Sequence, residues 1–294
     1  MRDLGILGVN VLYAVYHKRD RLVEFVESLM DNIDPSSMEI DVLRFEGHGF
    51  SKVDNRLFAM QLVKSGLTES TLFLPNGEVA QAADVLYKRP LVVMRGSFDP
   101  VCKLHLEVMD AVRKTFLAQV DEKTRANCMD ICEISMNNLL RGDDVDHLDF
   151  LYRADSLKEL GKTVLITRMT RFDRLSELLG HFTREPIAIS LSIGLLNELF
   201  KEKWTRDIPG GILESFGRTF QHKTRLYVSP WLNRKSGEFV TARTFRAPEQ
   251  YQYLYQHFLA NNLVIDVPFF NETLLRKTPR DIQRMIAEDD PAWK

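Results

Sequence analysis

The sequence has few cysteines: Cys102, Cys128 and Cys132 are the only three in 294 residues. A small and odd number argues against a disulfide framework, so we expect reduced thiols and a cytoplasmic protein. Cys128 and Cys132 are four positions apart, but no nearby histidine or second cysteine pair completes a zinc-binding pattern. The sequence therefore predicts no metal site.

Long hydrophobic runs and strong charge are also lacking. No apolar run reaches the roughly 18 residues that a membrane helix requires. The apolar stretch at residues 4–15 has neither the basic flank nor the small-residue cleavage site of a signal peptide. The formal net charge is −2, with both signs interspersed, and no basic tract suggests nucleic acid. We therefore predict a protein that binds neither a membrane nor nucleic acid.

The chain alternates short apolar runs with amphipathic segments. Segments with helical spacing follow most of these runs, which indicates βαβ units and an α/β fold. We predict a mainly parallel, doubly wound Rossmann-like sheet, with a (β/α)8 barrel as the alternative. The apolar runs that predict strands lie at residues 4–13, 38–45, 70–74, 91–94, 129–135, 162–167 and 186–190.

The domain organisation follows from the same pattern. The hydrophobic fraction of 45% is ample for a substantial core. No linker rich in serine, glycine or proline interrupts the chain, so we expect one α/β domain over residues 1–294. Residues 225–230 and 239–245 flank a turn and predict a β-hairpin, and the rest of the C-terminal part looks mostly helical. Residues 221–294 would thus form a hairpin-and-helix appendage.

Polar side chains follow many of the predicted strands. In open parallel sheets, ligands bind at the carboxyl ends of strands, and arginine offers a planar fork of donors to phosphate or carboxylate. This set predicts a small anionic ligand, although polar residues also mark the point at which any strand leaves the core. Its members are Asn10, Arg44, Arg95, Ser97, Asn137, Asn138, Thr167, Arg168, Ser190, Ser192 and Ser229, with Arg56 and Arg141 nearby.

The stretch at residues 90–110, PLVVMRGSFDPVCKLHLEVMD, is the most specific in the chain. An apolar run is followed by the polar turn Arg95-Gly96-Ser97 and then by a segment with helical spacing. Strand, tight turn and helix in this order form the arrangement in which α/β proteins bind phosphates, at a strand carboxyl end and a helix N-terminus. This stretch is therefore the leading candidate for a ligand site.

RGSFDPVCKLHL also resembles the signature of the nucleotidyltransferase superfamily that includes nicotinate-nucleotide adenylyltransferases. In that signature, a Gly-(Ser/Thr)-Phe-Asp-Pro turn precedes His-x-Gly-His. Gly96 to Pro100 match the turn and His105 matches the second histidine, whereas Cys102 replaces the first histidine and Leu104 the glycine. The resemblance implies adenylyl transfer from ATP to a mononucleotide, with Mg²⁺ neutralising the triphosphate, through a degenerate His-x-Gly-His motif.

The resemblance also implies roles for individual residues. His105 would be the catalytic donor that stabilises charge on the transferred group, and Asp99 would shape the catalytic turn. The residues expected to bind the cofactor are Arg95, Gly96, Ser97, Asn137, Asn138 and Arg168.

A second resemblance extends over nearly the whole chain. The segments GILGVNVLY, KVDNRLFAMQLVKSGLT, LYKRPLVVMRGSF, MNNLLRGDDVDHLDFL, LGKTVLIT and GGILESFGRTF together resemble an uncharacterised bacterial family. Its members carry the automatic label nicotinate-nucleotide adenylyltransferase or, wrongly for this α/β pattern, TonB-dependent receptor. The resemblance implies a nucleotide-binding protein. The alternative is a non-catalytic α/β protein that binds an anionic metabolite or a protein partner, and the sequence leaves the oligomeric state open.

Overall fold

The computed structural model describes residues 2–269 and 271–290. The chain divides into two compact units, each built from two stretches of sequence. The first comprises Met1–Val85 and Ile134–Met169, and the second comprises Leu86–Glu133 and Thr170–Lys294. The sequence predicts a single domain because the boundaries at these residues carry no linker composition. The expected appendage, residues 221–294, falls wholly within the second unit.

Helices occur throughout both units. In chain order they are α1 (Arg2–His17), α2 (Leu22–Ser28), α3 (Asn55–Ser65), α4 (Ala82–Leu86), α5 (Lys103–Leu117), α6 (Glu122–Ala126), α7 (His147–Glu159), α8 (Phe172–Phe182), α9 (Ile193–Leu199), α10 (Gly211–Thr219), α11 (Gln252–Ala260), α12 (Glu272–Leu275) and α13 (Pro279–Ala287). Among the described residues, no helix has both the length and the hydropathy that crossing a bilayer would require.

The strands are mostly short and buried. In chain order they are β1 (Ser70–Phe73), β2 (Val79–Ala80), β3 (Leu91–Arg95), β4 (Met129–Ser135), β5 (Leu140–Arg141), β6 (Asp144–Val145), β7 (Thr163–Thr167), β8 (Ile187–Ser192), β9 (Thr224–Ser229), β10 (Trp231–Leu232), β11 (Phe239–Val240) and β12 (Val264–Asp266).

The first unit contains antiparallel strands. β1 pairs with β7 on one side and with β2 on the other, so that Leu72 lies opposite both Leu165 and Ala80. A turn containing Gly77, at φ +87°, joins β1 to β2. A positive φ is readily adopted by glycine and rarely by other residues, and here it lets the chain reverse within a short loop.

The first helix corrects a sequence prediction. Residues 4–13 were expected to form a buried strand, but they lie within α1. Ala14 of this helix is buried against Phe25 and Leu29 in a hydrophobic cluster. Leu12 and Tyr16 are apolar residues on the exposed side of α1, at 62% and 81% exposure. Apolar residues all round a helix give no 3.6-residue period, and the run therefore resembles a buried strand.

The predicted strand at residues 38–45 is also wrong, because the described chain has no strand there. The segment is held by scattered contacts instead of a ladder. The Ile40 N–H donates to the carbonyl of Leu67 at 2.9 Å, and the Phe45 N–H donates to Oδ1 of Asn55 at 2.8 Å. Alternating polarity reports which side chains face the core, and it does not establish that a partner strand exists.

The second unit contains the parallel sheet that the sequence predicts. Its strands lie in the order β12-β9-β8-β3-β4, and every neighbouring pair among them is parallel. An α/β fold with a mainly parallel sheet is thus confirmed. The (β/α)8 alternative is wrong, because barrel strands neighbour one another in chain order, whereas β3 here lies between β4 and β8.

The C-terminal part differs in detail from the prediction. β9 was expected to be one arm of a hairpin, but it pairs in parallel with β8 and β12. The hairpin is formed by β10 and β11, with Trp231 opposite Val240. β12 was not predicted, since its three residues are too few to show a period.

Candidate functional site

The turn after β3 begins with a buried ion pair. Arg95, at the end of β3, lies opposite Glu133 on β4. Its Nε donates to Oε2 of Glu133 at 2.5 Å and its Nη2 donates to Oε1 at 2.9 Å. The side chain of Glu133 is fully buried and that of Arg95 is 8% exposed. The guanidinium fork that was expected to face a phosphate is therefore directed at a protein carboxylate.

Two further contacts fix the same guanidinium group. Nη1 of Arg95 donates to the carbonyl of Thr170 at 3.1 Å, and the group lies 4.8 Å from the centre of the Phe172 ring. A planar, fully charged group that is held on several sides keeps one orientation. Arg95 thus stabilises the carboxyl ends of β3 and β4.

The glycine of the turn lies against an aromatic ring. Phe98 is buried and has φ +49°, a strained value for a residue with a side chain. A Cβ at Gly96 would lie 3.2 Å from the Phe98 ring, so a larger residue would require the buried ring to shift by a few tenths of an ångström. Ser97 is exposed. Asp99, before the cis bond to Pro100, accepts a hydrogen bond from Nε2 of Gln283 at 3.1 Å.

The start of α5 explains the altered histidine motif. Cys102 is the N-cap residue, and its N–H donates to Nδ1 of His105 at 3.1 Å, which is one half of a capping box. The Cys102 Sγ lies 3.2 Å from the same nitrogen. Because Nδ1 accepts this hydrogen bond, the proton of the neutral ring is assigned to Nε2. Cys102 and His105 therefore hold each other at the helix terminus.

Burial keeps both groups of this pair uncharged near neutral pH. It raises the pKa of the Cys102 thiol and lowers the pKa of His105 to about 4. The His105 ring also packs against Phe98, with ring centres 5.2 Å apart. Since the charge of Arg95 is balanced by Glu133, neither Arg95 nor His105 is arranged to neutralise a triphosphate. These residues do not fit Mg²⁺–ATP.

The remaining residues expected to bind the cofactor lie in the first unit. Asn137 is exposed in a short 3₁₀ turn after β4. The carbonyl of Asn138 accepts a hydrogen bond from Nη1 of Arg153 at 3.1 Å. Arg168 is exposed, and its Nη1 lies 2.5 Å from the position that a Cβ on Gly66 would occupy. These three residues therefore belong to a different unit from the five expected site residues of the turn and α5.

Two other arginines near strand ends, Arg56 and Arg141, also form ion pairs with carboxylates. Arg56 donates to Asp155 at 2.5 Å and to Asp54 at 2.8 Å, and hydrogen bonding to Asp54 raises its pKa. Arg141 lies 3.3 Å from Asp149. Sequence position places an arginine at a strand end but does not show whether a carboxylate already binds it.

The first unit has a cavity of about 550 Å³, which we call the basic cavity. Three segments border it: the loop that leads into α3, the β1–β2 turn and the end of α7. A Cβ on Gly77 would lie 3.2 Å from Nζ of Lys158, so this lysine lies directly over the turn. The charged residues lining the basic cavity are Arg44, Glu46, Lys52, Asp54, Arg56, Glu78 and Lys158.

The carboxylates of the basic cavity have partners. Burial opposes the ionisation of Asp54, but hydrogen bonds from Arg56 outweigh it and lower its pKa, with a further contribution from the charge of Lys158. Glu46 lies 3.6 Å from Nη1 of Arg44, and Glu78 accepts from Nδ2 of Asn76 at 2.8 Å. Glu46 and Asp54 are therefore compensated by arginines of the cavity wall, whereas Glu78 is bonded to a neutral amide.

Two lysines of the basic cavity lack this compensation. Within the part of the chain that the structure describes, neither Lys52 nor Lys158 forms an ion pair with a carboxylate. Both side chains are exposed to the cavity and solvent. The wall thus offers two ammonium groups that form no ion pair in the described chain, although the charge of Lys158 acts on Asp54. Sequence reasoning missed both lysines because neither belongs to a motif.

A second cavity, of about 610 Å³, borders the same loop, and we call it the apolar-floored cavity. Its lining includes Leu22, Leu57 and Phe58 together with the imidazoles of His48 and His147. Ser51, Lys52, Val53 and Asp54 line both cavities. The two spaces therefore adjoin through residues 51–54.

No group of three or more His, Cys, Asp or Glu side chains that could hold a metal ion occurs among residues 2–269 and 271–290. No family model matches the chain, and a search of curated proteins gives no match.

Proposed function

We propose that this chain is a non-catalytic α/β protein that binds a small anionic metabolite in the basic cavity of the first unit. One observation carries the proposal: among the described side chains, Lys52 and Lys158 form no ion pair, whereas Glu46 and Asp54 beside them are paired with arginines. A phosphate or carboxylate group between the two ammonium groups would balance their charge. The volume of about 550 Å³ lies within the range of about 300–1,000 Å³ typical of small-molecule sites.

The titration behaviour of the basic cavity favours binding over catalysis. General acid–base catalysis uses groups whose pKa lies near the working pH. Both groups shift away from neutral pH, because the pKa of Asp54 is lowered and the pKa of Arg56 is raised. Both groups are thus held in their charged forms, where they position neighbours but do not exchange protons.

Adenylyl transfer from ATP is the competing proposal, and it rests on the motif at residues 95–106. It requires a charge-stabilising donor at His105 and phosphate-binding groups at Arg95 and Ser97. The buried pair of Arg95 with Glu133 and the neutral state of His105 count against it. We expect no pyrophosphate release when the protein is mixed with ATP, Mg²⁺ and nicotinate mononucleotide. Release that is lost in His105→Ala would favour the transferase.

The finer points of fold and location are part of the same proposal. We propose that the parallel strands of the second unit form the centre of a doubly wound sheet. Because β9 and β12 belong to that sheet, the appendage expected at residues 221–294 would be reduced to the β10–β11 hairpin and the helices of this stretch. We also propose a cytoplasmic protein, because Cys102, Cys128 and Cys132 are all free thiols.

Isothermal titration calorimetry with inorganic phosphate tests the binding proposal. Each charge-assisted hydrogen bond contributes roughly 1.5 kcal/mol, so Lys52→Met/Lys158→Met should weaken phosphate binding by at least about tenfold. Lys123→Met is a matched control, since Lys123 is an exposed lysine of α6 in the second unit, and it should bind like the wild type. The proposal fails if the wild type does not bind phosphate, or if the double variant binds it equally well.

A further inference from the structure

The apolar-floored cavity adjoins the basic cavity and differs from it in having more apolar side chains in its lining. The basic cavity is lined mainly by charged and amide side chains. The second cavity is lined by charged residues, Arg19, Asp20, Lys52 and Asp54, and also by the apolar side chains of Leu22, Leu57 and Phe58. Phe58 is 6% exposed and belongs to the hydrophobic cluster of the first unit, so this apolar surface is fixed by the core beneath it. A small inorganic anion would leave such a surface in contact with water, which costs free energy.

The side chain of Lys52 links the two spaces. Lys52 lines both cavities, and a lysine stem can lie along apolar surface while its ammonium group reaches a polar partner. Val53, which also borders both, adds an apolar group at the junction. His48 and His147 also line the second cavity, and aromatic side chains can pack against the ring of a ligand.

We infer that the ligand is an amphipathic organic anion, and this inference rests on the proposed function. Its phosphate or carboxylate group lies between Lys52 and Lys158, and an apolar or aromatic group bonded to it occupies the apolar-floored cavity against Leu57. Ligand recognition thus has two parts: the lysines select the charge, and the second cavity selects the apolar group. No covalent step is involved.

Calorimetry with phosphate and phenyl phosphate tests the inference, because the two probes share the anionic group and differ by one ring. We expect the wild type to bind phenyl phosphate about tenfold tighter or better, since burying roughly 60 Å² of ring surface at about 25 cal/mol per Å² is equivalent to about that factor. Leu57→Asn should remove this preference and leave phosphate binding unchanged. Leu213→Asn, at an exposed leucine of the second unit, should alter neither.

The outcomes separate the inference from the proposed function. If phosphate binding depends on the two lysines but phenyl phosphate binds no tighter, the inference is overturned and the function stands. If phenyl phosphate is preferred equally by Leu57→Asn, the ring binds elsewhere and the inference is again overturned. If the wild type binds neither probe, the function itself fails. Leu22→Asn, at a residue that lines the second cavity and not the basic cavity, replaces Leu57→Asn should the latter not fold, and it carries the same expectation.

Discussion

Replacing Arg95 with methionine should destabilise the second unit by about 3–5 kcal/mol. The reason is the full burial of the Glu133 side chain, which receives two hydrogen bonds from Arg95, at 2.5 and 2.9 Å. Methionine has a similar length but supplies neither the charge nor the donors, so the buried carboxylate loses its guanidinium. The thiol–imidazole pair at the start of α5 is untouched by this change.

A double-mutant cycle with Glu133→Gln measures the ion pair itself. Because the double variant leaves no unbalanced charge, we expect it to lose less free energy of unfolding than the sum of the two single losses, by roughly 0.5–3 kcal/mol. Urea unfolding can be followed by tryptophan fluorescence, since Trp204 and Trp231 lie in the second unit. A loss below about 1 kcal/mol for Arg95→Met, the value of an exposed pair, or strict additivity would refute the reasoning.

Two further predictions concern the same turn. The pKa of His105 is lowered to about 4 by burial, against roughly 6.5 in an unfolded chain. Between these values the unfolded chain binds more protons, so the second unit should lose stability as the pH falls from about 6.5 to about 4. In urea titrations, the free energy of unfolding of His105→Gln should lack this dependence on pH. An unchanged pH dependence would contradict the assignment. Gly96→Ala should cost about 1–3 kcal/mol in the same assay, because its Cβ would lie 3.2 Å from the Phe98 ring. Gly194→Ala should cost less, because a Cβ there would meet only Oγ of Ser192, at an ordinary contact distance of 3.7 Å.

The central elements of the fold could be predicted from sequence. The strand at residues 129–135 was predicted with the bounds that the structure gives to β4, and the runs at 91–94 and 162–167 differ from β3 and β7 by one residue at one end. These buried strands are short and mostly apolar, and they are bounded by polar turns. That signal is local, and a local reading of the sequence therefore finds them.

The errors arose where the deciding interaction was not local. The α1 helix was mistaken for a strand because its apolar residues lie on both the packed and the exposed side. At residues 38–45, the alternation is real but the segment forms no ladder in the described chain. Strand pairing depends on residues that are distant in sequence, and no property of the segment itself reports it.

The candidate site shows the same limit. The motif at residues 95–106 correctly marks a strand, a turn and a helix, because glycine and proline fix the backbone there. The motif does not reveal which residues contact it, because Glu133, the partner of Arg95, lies on another strand and Gln283, the partner of Asp99, lies on α13. One signal was available, since a lone glutamate within an apolar strand such as MDICEIS must be paired when buried. Lys52 and Lys158 gave no signal, because only the fold brings their segments together.

The most direct test of the central claim is a map of amide chemical shifts during titration with phosphate and with Mg²⁺–ATP. We claim that the basic cavity binds the anion and that the turn after β3 is structural. We therefore predict that phosphate shifts the amides of residues 44–56 and 76–79, and that neither titration perturbs residues 96–105. Saturable shifts confined to residues 96–105, with residues 44–56 unaffected, would contradict the account.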